Sequence, residues 1–90
     1  MEFQYNDHQI ALYNNENELL AEVVFPAVNE DTVEITRTFV DDRLRGQGMA
    51  GKLMQAVADQ LRAQNKKAVL ICPYAQTWFG KHPEYQDLYE

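Results

Sequence analysis

The segment that decides the fold is residues 43–51, Arg43-Leu44-Arg45-Gly46-Gln47-Gly48-Met49-Ala50-Gly51. Gly46 and Gly48 allow the backbone to approach a ligand closely, because glycine has no side chain and tolerates left-handed conformations. Free N–H groups at the start of a following helix, together with the helix dipole, would favour an anion at the same place. The segment therefore predicts a site for a phosphate or pyrophosphate, although a tight turn before a helix uses the same glycines.

The residues after this segment have the spacing of a helix. Apolar side chains recur every three or four residues and form one face of about four turns: Met49, Leu53, Met54, Val57 and Leu61. Asn65 is a plausible left-handed stop. Residues 68–72 are wholly apolar and end at Pro73, which predicts a buried central strand. Residues 75–81 and 83–88 are then expected to form short helical turns.

The residues before this segment have the spacing of strands. We expect strands at residues 10–13, 19–28 and 32–40, with residues 2–5 pairing to the first of them. An antiparallel meander followed by a helix, a strand and a short helix predicts an α+β fold with a helix-covered sheet. The length of 90 residues predicts a single domain, residues 1–90.

Charge is distributed unevenly along the chain. The net charge is −6, which argues against a general nucleic-acid-binding protein. Residues 1–36 hold eight acidic residues and no Lys or Arg, whereas residues 37–90 hold eight basic and six acidic residues. Such an asymmetry is compatible with chance on a solvated surface, or with an anionic ligand near the second half and a cationic one near the first.

Several features argue against a secreted, membrane-bound or metal-binding protein. One cysteine cannot form an internal disulfide, and the N-terminal residues lack the pattern of a signal peptide, so we expect a cytoplasmic protein. No apolar run approaches a membrane span, so no membrane association is expected. His8, His82 and Cys72 lack metal-ligand spacing, so we expect no metal site.

The segment Arg43-x-x-Gly46-x-Gly48 resembles the (Gln/Arg)-x-x-Gly-x-(Gly/Ala) motif of the GNAT superfamily of N-acetyltransferases. The preceding strand and the following helix and strand match that family as well. The C-terminal segment, with Cys72-Pro73-Tyr74 and His82-Pro83-Glu84-Tyr85, is similar to that of very small GNAT-like proteins that have a cysteine after the last core strand. The resemblance implies that acetyl-CoA is the co-substrate. It also implies cofactor contacts that reach from the strand into the loop, at Phe39, Val40, Arg45, Gly46, Gln47, Gly48, Met49 and Ala50.

The sequence also departs from that family. Only residues 14–17 separate the first two main strands, where GNAT enzymes carry helices that help to form the acceptor site, so those helices are expected to be missing. Many GNAT enzymes place a tyrosine four residues after an alanine of the helix that follows the last core strand, where it protonates the leaving thiolate. Counting from Ala75 gives Phe79, which has no hydroxyl group.

Three residues are candidates for the missing chemistry. Cys72 is expected beside the thioester, where it could accept an acetyl group, or it could be a small apolar core residue. Tyr74 could donate a proton or could simply pack. Glu34 matches by position the strand glutamate that some GNAT enzymes use as general base, or it could be an exposed acid on the face of the sheet with Thr36 and Thr38.

Two functions follow from these observations. One is an acetyl-CoA-dependent N-acetyltransferase acting on an unidentified amine or protein acceptor. The other is a non-catalytic acyl-CoA-binding or protein-interaction module on the same fold. The missing acceptor helices and Phe79 favour the module, whereas Cys72 and the acidic first half of the chain favour the enzyme.

Overall fold

The structure is a computed structural model that describes residues 2–89. Met1 and Glu90 lie outside the described residues, so the domain bounds 1–90 stay a prediction. Strands and helices follow one another in the predicted α+β order. The elements are β1 (Gln4–Tyr5), β2 (Gln9–Tyr13), β3 (Leu19–Val24), β4 (Thr32–Ile35), β5 (Arg37–Val40), α1 (Met49–Ala63), β6 (Lys67–Leu70) and α2 (Pro73–Gly80), with 3₁₀ turns at Asp42–Leu44 and Pro83–Leu88.

The strands divide into two sheets. The first is antiparallel with the order β1-β2-β3-β5, and the second is a parallel pair of β4 and β6. The predicted single strand over residues 32–40 is therefore wrong, because the chain leaves one sheet for the other at Thr36, whose N–H donates to Val24 O at 3.0 Å. We call the place where the end of β6 meets the break between β4 and β5 the sheet junction.

The break at Thr36 also changes which side chains face the core. Val33 and Ile35 are buried before it. One residue inserted between the strands reverses the alternation, since side chains in a strand alternate with a period of two. After the break, Thr38 and Val40 pair with the buried Val23 and Ala21, and Val40 packs against the core.

Helix α1 covers the inner face of the antiparallel sheet. Its buried residues are Leu53, Met54, Val57, Ala58 and Leu61. Each large apolar side chain buried in this way contributes roughly 1.5–3 kcal/mol. Asn65 follows the helix in the left-handed conformation, with φ 57°, which confirms the predicted stop. No helix within residues 2–89 is both long enough and apolar enough to cross a membrane.

Strand β6 does not lie in the centre of a sheet. Within the described part of the chain it pairs only with β4, so the prediction of a buried central strand at residues 68–72 is wrong. Ala68 faces the core, but Val69 is 43% exposed and Ile71 is 49% exposed. The sequence pattern failed here because an apolar run does not reveal whether a strand has neighbours on both edges.

The C-terminal turn Pro83–Leu88 packs against α1. Tyr85 and Leu88 are buried, and the Tyr85 hydroxyl donates to Asp59 Oδ1 at 2.7 Å. The Arg62 guanidinium lies 4.7 Å from the centre of the Tyr85 ring. These contacts join the end of the chain to the helix that follows the glycine-containing segment.

Candidate functional site

Residues 45–50, which we call the glycine loop, form the turn into α1. Gly46 has φ 82° and Gly48 has φ 69°, both in the left-handed region that side chains disfavour. Gly48 is the residue that caps the N-terminus of α1. A methyl group added to either glycine would meet no atom within 4 Å, so both face open space.

The backbone N–H groups of the glycine loop and the first helical turn have no acceptor. Within residues 2–89, none of the six N–H groups of residues 46–51 donates a hydrogen bond, and the first helical bond runs from Lys52 N–H to Gly48 O. Unpaired N–H groups at a helix N-terminus attract anions, and the helix dipole adds to this attraction. The arrangement can therefore bind a phosphate or diphosphate group without any basic side chain.

An open cleft of about 230 Å³ lies beside the glycine loop. It contains six of the eight predicted cofactor-binding residues, together with Leu44, Gly51 and Tyr74, which come from neighbouring elements. Its lining residues are Val40, Leu44, Arg45, Gly46, Gly48, Met49, Ala50, Gly51 and Tyr74. The cleft thus connects the glycine loop to the start of α2.

Phe39 and Gln47, the other two predicted cofactor-binding residues, do not line this cleft. The Phe39 ring lies 5.3 Å from the guanidinium carbon of Arg37. It pairs across the sheet with Glu22, on the face opposite to Val40, because of the break at Thr36. Gln47 is exposed at the tip of the glycine loop.

Most of the charge around the glycine loop is already paired. Arg43 Nε lies 2.9 Å from Asp41 Oδ1, and its Nη1 lies 3.5 Å from Glu18 Oε1, so this guanidinium is turned towards acidic groups. The hydrogen bond from Arg43 lowers the pKa of the Asp41 carboxyl. Arg45 Nε lies 2.9 Å from Asp42 Oδ1, whereas Lys52 makes no ion pair within the described residues.

Cys72 lies at the sheet junction, as the residue that caps the N-terminus of α2. It is 8% exposed, and the N–H groups of Ile71 and Cys72 both donate to Ile35 O, at 3.1 and 2.9 Å. Its Sγ lies 3.5 Å from the Thr38 hydroxyl on β5. Sequence reasoning missed Thr38, because the strand pattern placed it on the exposed face with Glu34.

The Cys72 thiol is more acidic than an ordinary thiol. Burial acts to raise its pKa, but hydrogen bonding to the Thr38 hydroxyl and to the N–H groups of Ala75 and Tyr74 outweighs burial, so the pKa is lowered. A helix N-terminus with free N–H groups stabilises a thiolate in this way. The site can thus supply a sulfur nucleophile without a basic neighbour.

Tyr74 and Trp78 extend from α2 towards the first turn of α1. A methyl group placed on Gly51 would lie 3.6 Å from Trp78 Nε1 and 3.8 Å from the Tyr74 hydroxyl oxygen. Tyr74 is 39% exposed, and partial burial raises its pKa. Phe79 is fully buried in the core, so its position offers no group to the cleft.

Glu34 lies on β4 and pairs in register with Val69 of β6. It is half-buried, and its carboxylate makes no hydrogen bond or ion pair within residues 2–89. Its neighbours Val33 and Ile35 face the core, so Glu34 lies on the outer face of the small sheet. Within the same residues, no three or more His, Cys, Asp or Glu side chains are grouped so that they could hold a metal ion.

Comparison with known proteins agrees with this arrangement. The model of the family described as GCN5-related N-acetyl-transferase matches residues 9–88. The chain belongs to the GCN5-related N-acetyltransferase family. A GCN5-like protein from Staphylococcus aureus, solved by NMR, has a TM-score of 0.81 and 32% identity, over 99% of this chain and 87% of that one. The predicted α+β GNAT-like fold is therefore confirmed.

More distant members of the family share the fold. Tetrahymena GCN5 matches with a TM-score of 0.64 and 17% identity, over 84% of this chain and 51% of that one. An Elizabethkingia anophelis GNAT acetyltransferase, whose structure holds acetyl-CoA, matches with a TM-score of 0.61 and 20% identity, over 82% and 50% of the chains.

A curated relative, protein NATD1 of Xenopus tropicalis, is 33% identical over 63 residues, which is 70% of this chain and 58% of the frog protein. The match therefore spans little more than half the length of that relative.

No helix lies between β2 and β3 of the present chain, where residues 14–18 form only a short turn.

Proposed function

We propose that this protein is an acetyl-CoA-dependent N-acetyltransferase whose glycine loop binds the diphosphate of the coenzyme. The observation that carries the proposal is the set of six unpaired N–H groups of residues 46–51, five of which belong to residues that line the cleft. Family members with the same fold provide support, since the Elizabethkingia anophelis structure holds acetyl-CoA and the Escherichia coli YhbS structure holds CoA.

The pantetheine arm would run from the glycine loop past Val40 to the sheet junction. Val40 lines the cleft, and Thr38, two residues earlier on β5, contacts Cys72. The acetyl thioester would then lie within reach of the Cys72 sulfur. The lowered pKa of Cys72 supports a role as nucleophile.

The proposed reaction has two transfers. The Cys72 thiolate attacks the thioester carbonyl, a new thioester forms on Cys72, and the CoA thiolate leaves and takes a proton from solvent. A neutral amine then attacks the acetyl-cysteine, the amide forms, and the Cys72 thiolate is regenerated. Glu34, with its unpaired carboxylate on the outer face of the small sheet, would accept the proton that the amine releases.

The acceptor is expected to reach the sheet junction from the outer face of the small sheet. No helix lies between β2 and β3 to form an enclosed pocket there. An amine on a small molecule or on a protein surface would fit such an open site. The acidic residues of the first 36 positions would attract a positively charged acceptor.

A second function, a non-catalytic acyl-CoA-binding module, is favoured by one observation. Phe79 occupies the expected position of the tyrosine acid and is fully buried. In such a module the coenzyme would bind in the same cleft, but no acetyl group would leave it.

Two measurements separate the enzyme from the module. Incubation with acetyl-CoA should add one acetyl group by intact mass, removable by hydroxylamine and absent from Cys72→Ala. A thiol-release assay over a panel of amines should show turnover that depends on acetyl-CoA. Binding of acetyl-CoA without acetylation or turnover would support the module, and an acetyl group found only on lysines would contradict the role of Cys72.

A further inference from the structure

Two hydrogen-bond donors of α2 converge on one point above α1. Trp78 Nε1 and the Tyr74 hydroxyl oxygen lie 3.6 and 3.8 Å from the position that a methyl group on Gly51 would occupy. Gly51 and Tyr74 both line the cleft that contains the glycine loop. Tyr74 therefore borders the same cleft as the glycine loop, and Trp78 Nε1 lies beside Gly51 at the edge of that cleft.

Neither donor has a partner within the described part of the chain. Trp78 is 8% exposed, and its indole N–H makes no hydrogen bond among residues 2–89. The Tyr74 hydroxyl makes none there either. The indole nitrogen of this largely buried ring is reachable from solvent, since no buried side-chain nitrogen or oxygen of the described residues lacks a partner. A ligand oxygen beside Gly51 could therefore replace water as the acceptor for both donors.

Gly51 itself is not required by packing within the chain. It lies in the first turn of α1, where glycine is a poor helix former compared with alanine. An alanine methyl group there would make only ordinary van der Waals contacts. The space above Gly51 is thus available to a ligand atom that both donors can reach.

We propose that Trp78 Nε1 and the Tyr74 hydroxyl donate hydrogen bonds to a phosphate oxygen of the coenzyme, in the space above Gly51. This inference rests on the proposed function, because it assumes that the glycine loop holds the diphosphate. A phosphate oxygen fits because the unpaired N–H groups next to the space already favour that chemistry. Hydrogen bonds to a charged oxygen are stronger than those between neutral groups. Tyr74 is thereby assigned to binding, and not to protonation of the leaving thiolate.

The test is calorimetric titration of Trp78→Phe and Tyr74→Phe with CoA. Each variant removes one donor, and each is expected to raise the Kd of CoA by about tenfold, the typical effect of one hydrogen bond to a charged group. Tyr5→Phe is the matched control, since Tyr5 is exposed on β1, away from the cleft. Tyr74→Phe keeps the test decisive if Trp78→Phe folds poorly, because Tyr74 is partly exposed.

A second ligand distinguishes the two kinds of phosphate in CoA. If both variants weaken CoA and dephospho-CoA equally, the donors bind the diphosphate, and if dephospho-CoA is unaffected they bind the 3′-phosphate. Either result supports the inference. Unchanged Kd values of both variants for CoA would overturn it while leaving the proposed function intact. Failure of the wild-type protein to bind CoA would contradict the proposed function as well.

Gly51→Ala separates a ligand-binding role from a structural one. It is expected to raise the Tm by about 4 °C, because alanine favours the helix, and to weaken CoA binding by about tenfold, because its methyl group fills the space. Gly80→Ala, at the C-terminal end of α2, is the control and should leave the Kd of CoA unchanged.

In steady-state assays Tyr74→Phe should raise KM for acetyl-CoA with kcat unchanged. A lower kcat at unchanged Kd would assign Tyr74 to proton donation and overturn the inference.

Discussion

At the scale of single residues, Cys72 lies where a partly buried thiol is made acidic. Burial raises its pKa, but hydrogen bonding to Thr38 and to the first N–H groups of α2 lowers the pKa further than burial raises it. More of the thiol is therefore ionised at neutral pH than in a free cysteine, and only the thiolate reacts with alkylating agents. Because Cys72 is the only cysteine of the chain, alkylation reports on it alone.

We predict that the rate of Cys72 alkylation by iodoacetamide rises with a midpoint below that of a cysteine in an unstructured peptide, because the pKa of the Cys72 thiol is lowered. Thr38→Val should move the midpoint upwards, because it removes a hydrogen bond to the thiolate. Limited access to a buried thiol lowers the rate at every pH but does not move the midpoint. The control is Thr77→Val, which changes an exposed threonine on α2. A wild-type midpoint at or above that of free cysteine would contradict the prediction.

Gly48 allows a second prediction at this scale. Gly48→Glu should abolish measurable CoA binding, because its side chain would extend a negative charge into the open space where the diphosphate is proposed to lie. The positive φ should also cost about 1 kcal/mol of stability. Calorimetric titration and thermal unfolding measure the two effects separately.

Gly80→Glu carries the same charge to a position with ordinary φ and open surroundings. It should bind CoA like the wild type. Unimpaired binding by Gly48→Glu would show that the glycine loop does not hold the diphosphate.

At the scale of secondary-structure elements, the C-terminal turn is attached to α1 through Tyr85. The Tyr85 hydroxyl donates to Asp59 and accepts a hydrogen bond from Gln55. We predict that Tyr85→Phe lowers the free energy of unfolding by about 1 kcal/mol, the usual contribution of a partly buried hydrogen bond. Tyr5→Phe, at an exposed position, should change it by much less, and an equal loss in both variants would contradict the prediction.

The pH dependence of this contribution has a definite sign. The hydrogen bond to Asp59, together with burial, raises the pKa of Tyr85 above its ordinary value of 10.0. When folding raises the pKa of a hydroxyl group, the interaction of its neutral form stabilises the folded state. This stabilisation is present in full below the unfolded-state pKa and is lost as the pH rises through the folded-state pKa. The difference between wild type and Tyr85→Phe should therefore be constant from about pH 6 to 9 and shrink only above about pH 10.

At the scale of the whole molecule, the distribution of charge bears on coenzyme binding. The chain carries a net charge of −6, and Arg43 is paired with Asp41 and Glu18 instead of facing the glycine loop. Arg45 is exposed and paired with Asp42. In the proposed complex, backbone N–H groups would therefore supply most of the attraction for phosphate, and this attraction would depend on salt less than pairing between exposed charges does.

We predict that the Kd of CoA changes by less than about threefold between 0.05 and 0.5 M salt, since few exposed charges contribute. Arg43→Gln should leave the Kd unchanged, whereas Lys52→Gln, which removes the unpaired cation of the first turn, should raise it slightly. A steep loss of affinity with salt, or a large effect of Arg43→Gln, would show that side-chain cations carry the site.

The sequence by itself determined the order of the elements and the position of the glycine loop. Helical periodicity around Leu53 and Val57, the left-handed Asn65, and the paired Gly46 and Gly48 are local features. Local features can be predicted because they depend on the conformational preferences of a few adjacent residues. Six of the eight predicted cofactor-binding residues line the cleft for this reason.

Only the tertiary structure decided how distant segments meet. The break at Thr36 reverses the faces of Thr38 and Phe39, and no pattern in residues 32–40 marks where the chain leaves one sheet for another. The exposure of Val69 depends on which strands lie beside β6. The contact of Thr38 with Cys72 and the convergence of Trp78 on Gly51 likewise join residues more than 25 positions apart. Pairing and packing between segments so far apart in the chain depend on the whole fold, and a single sequence contains no local signal for them.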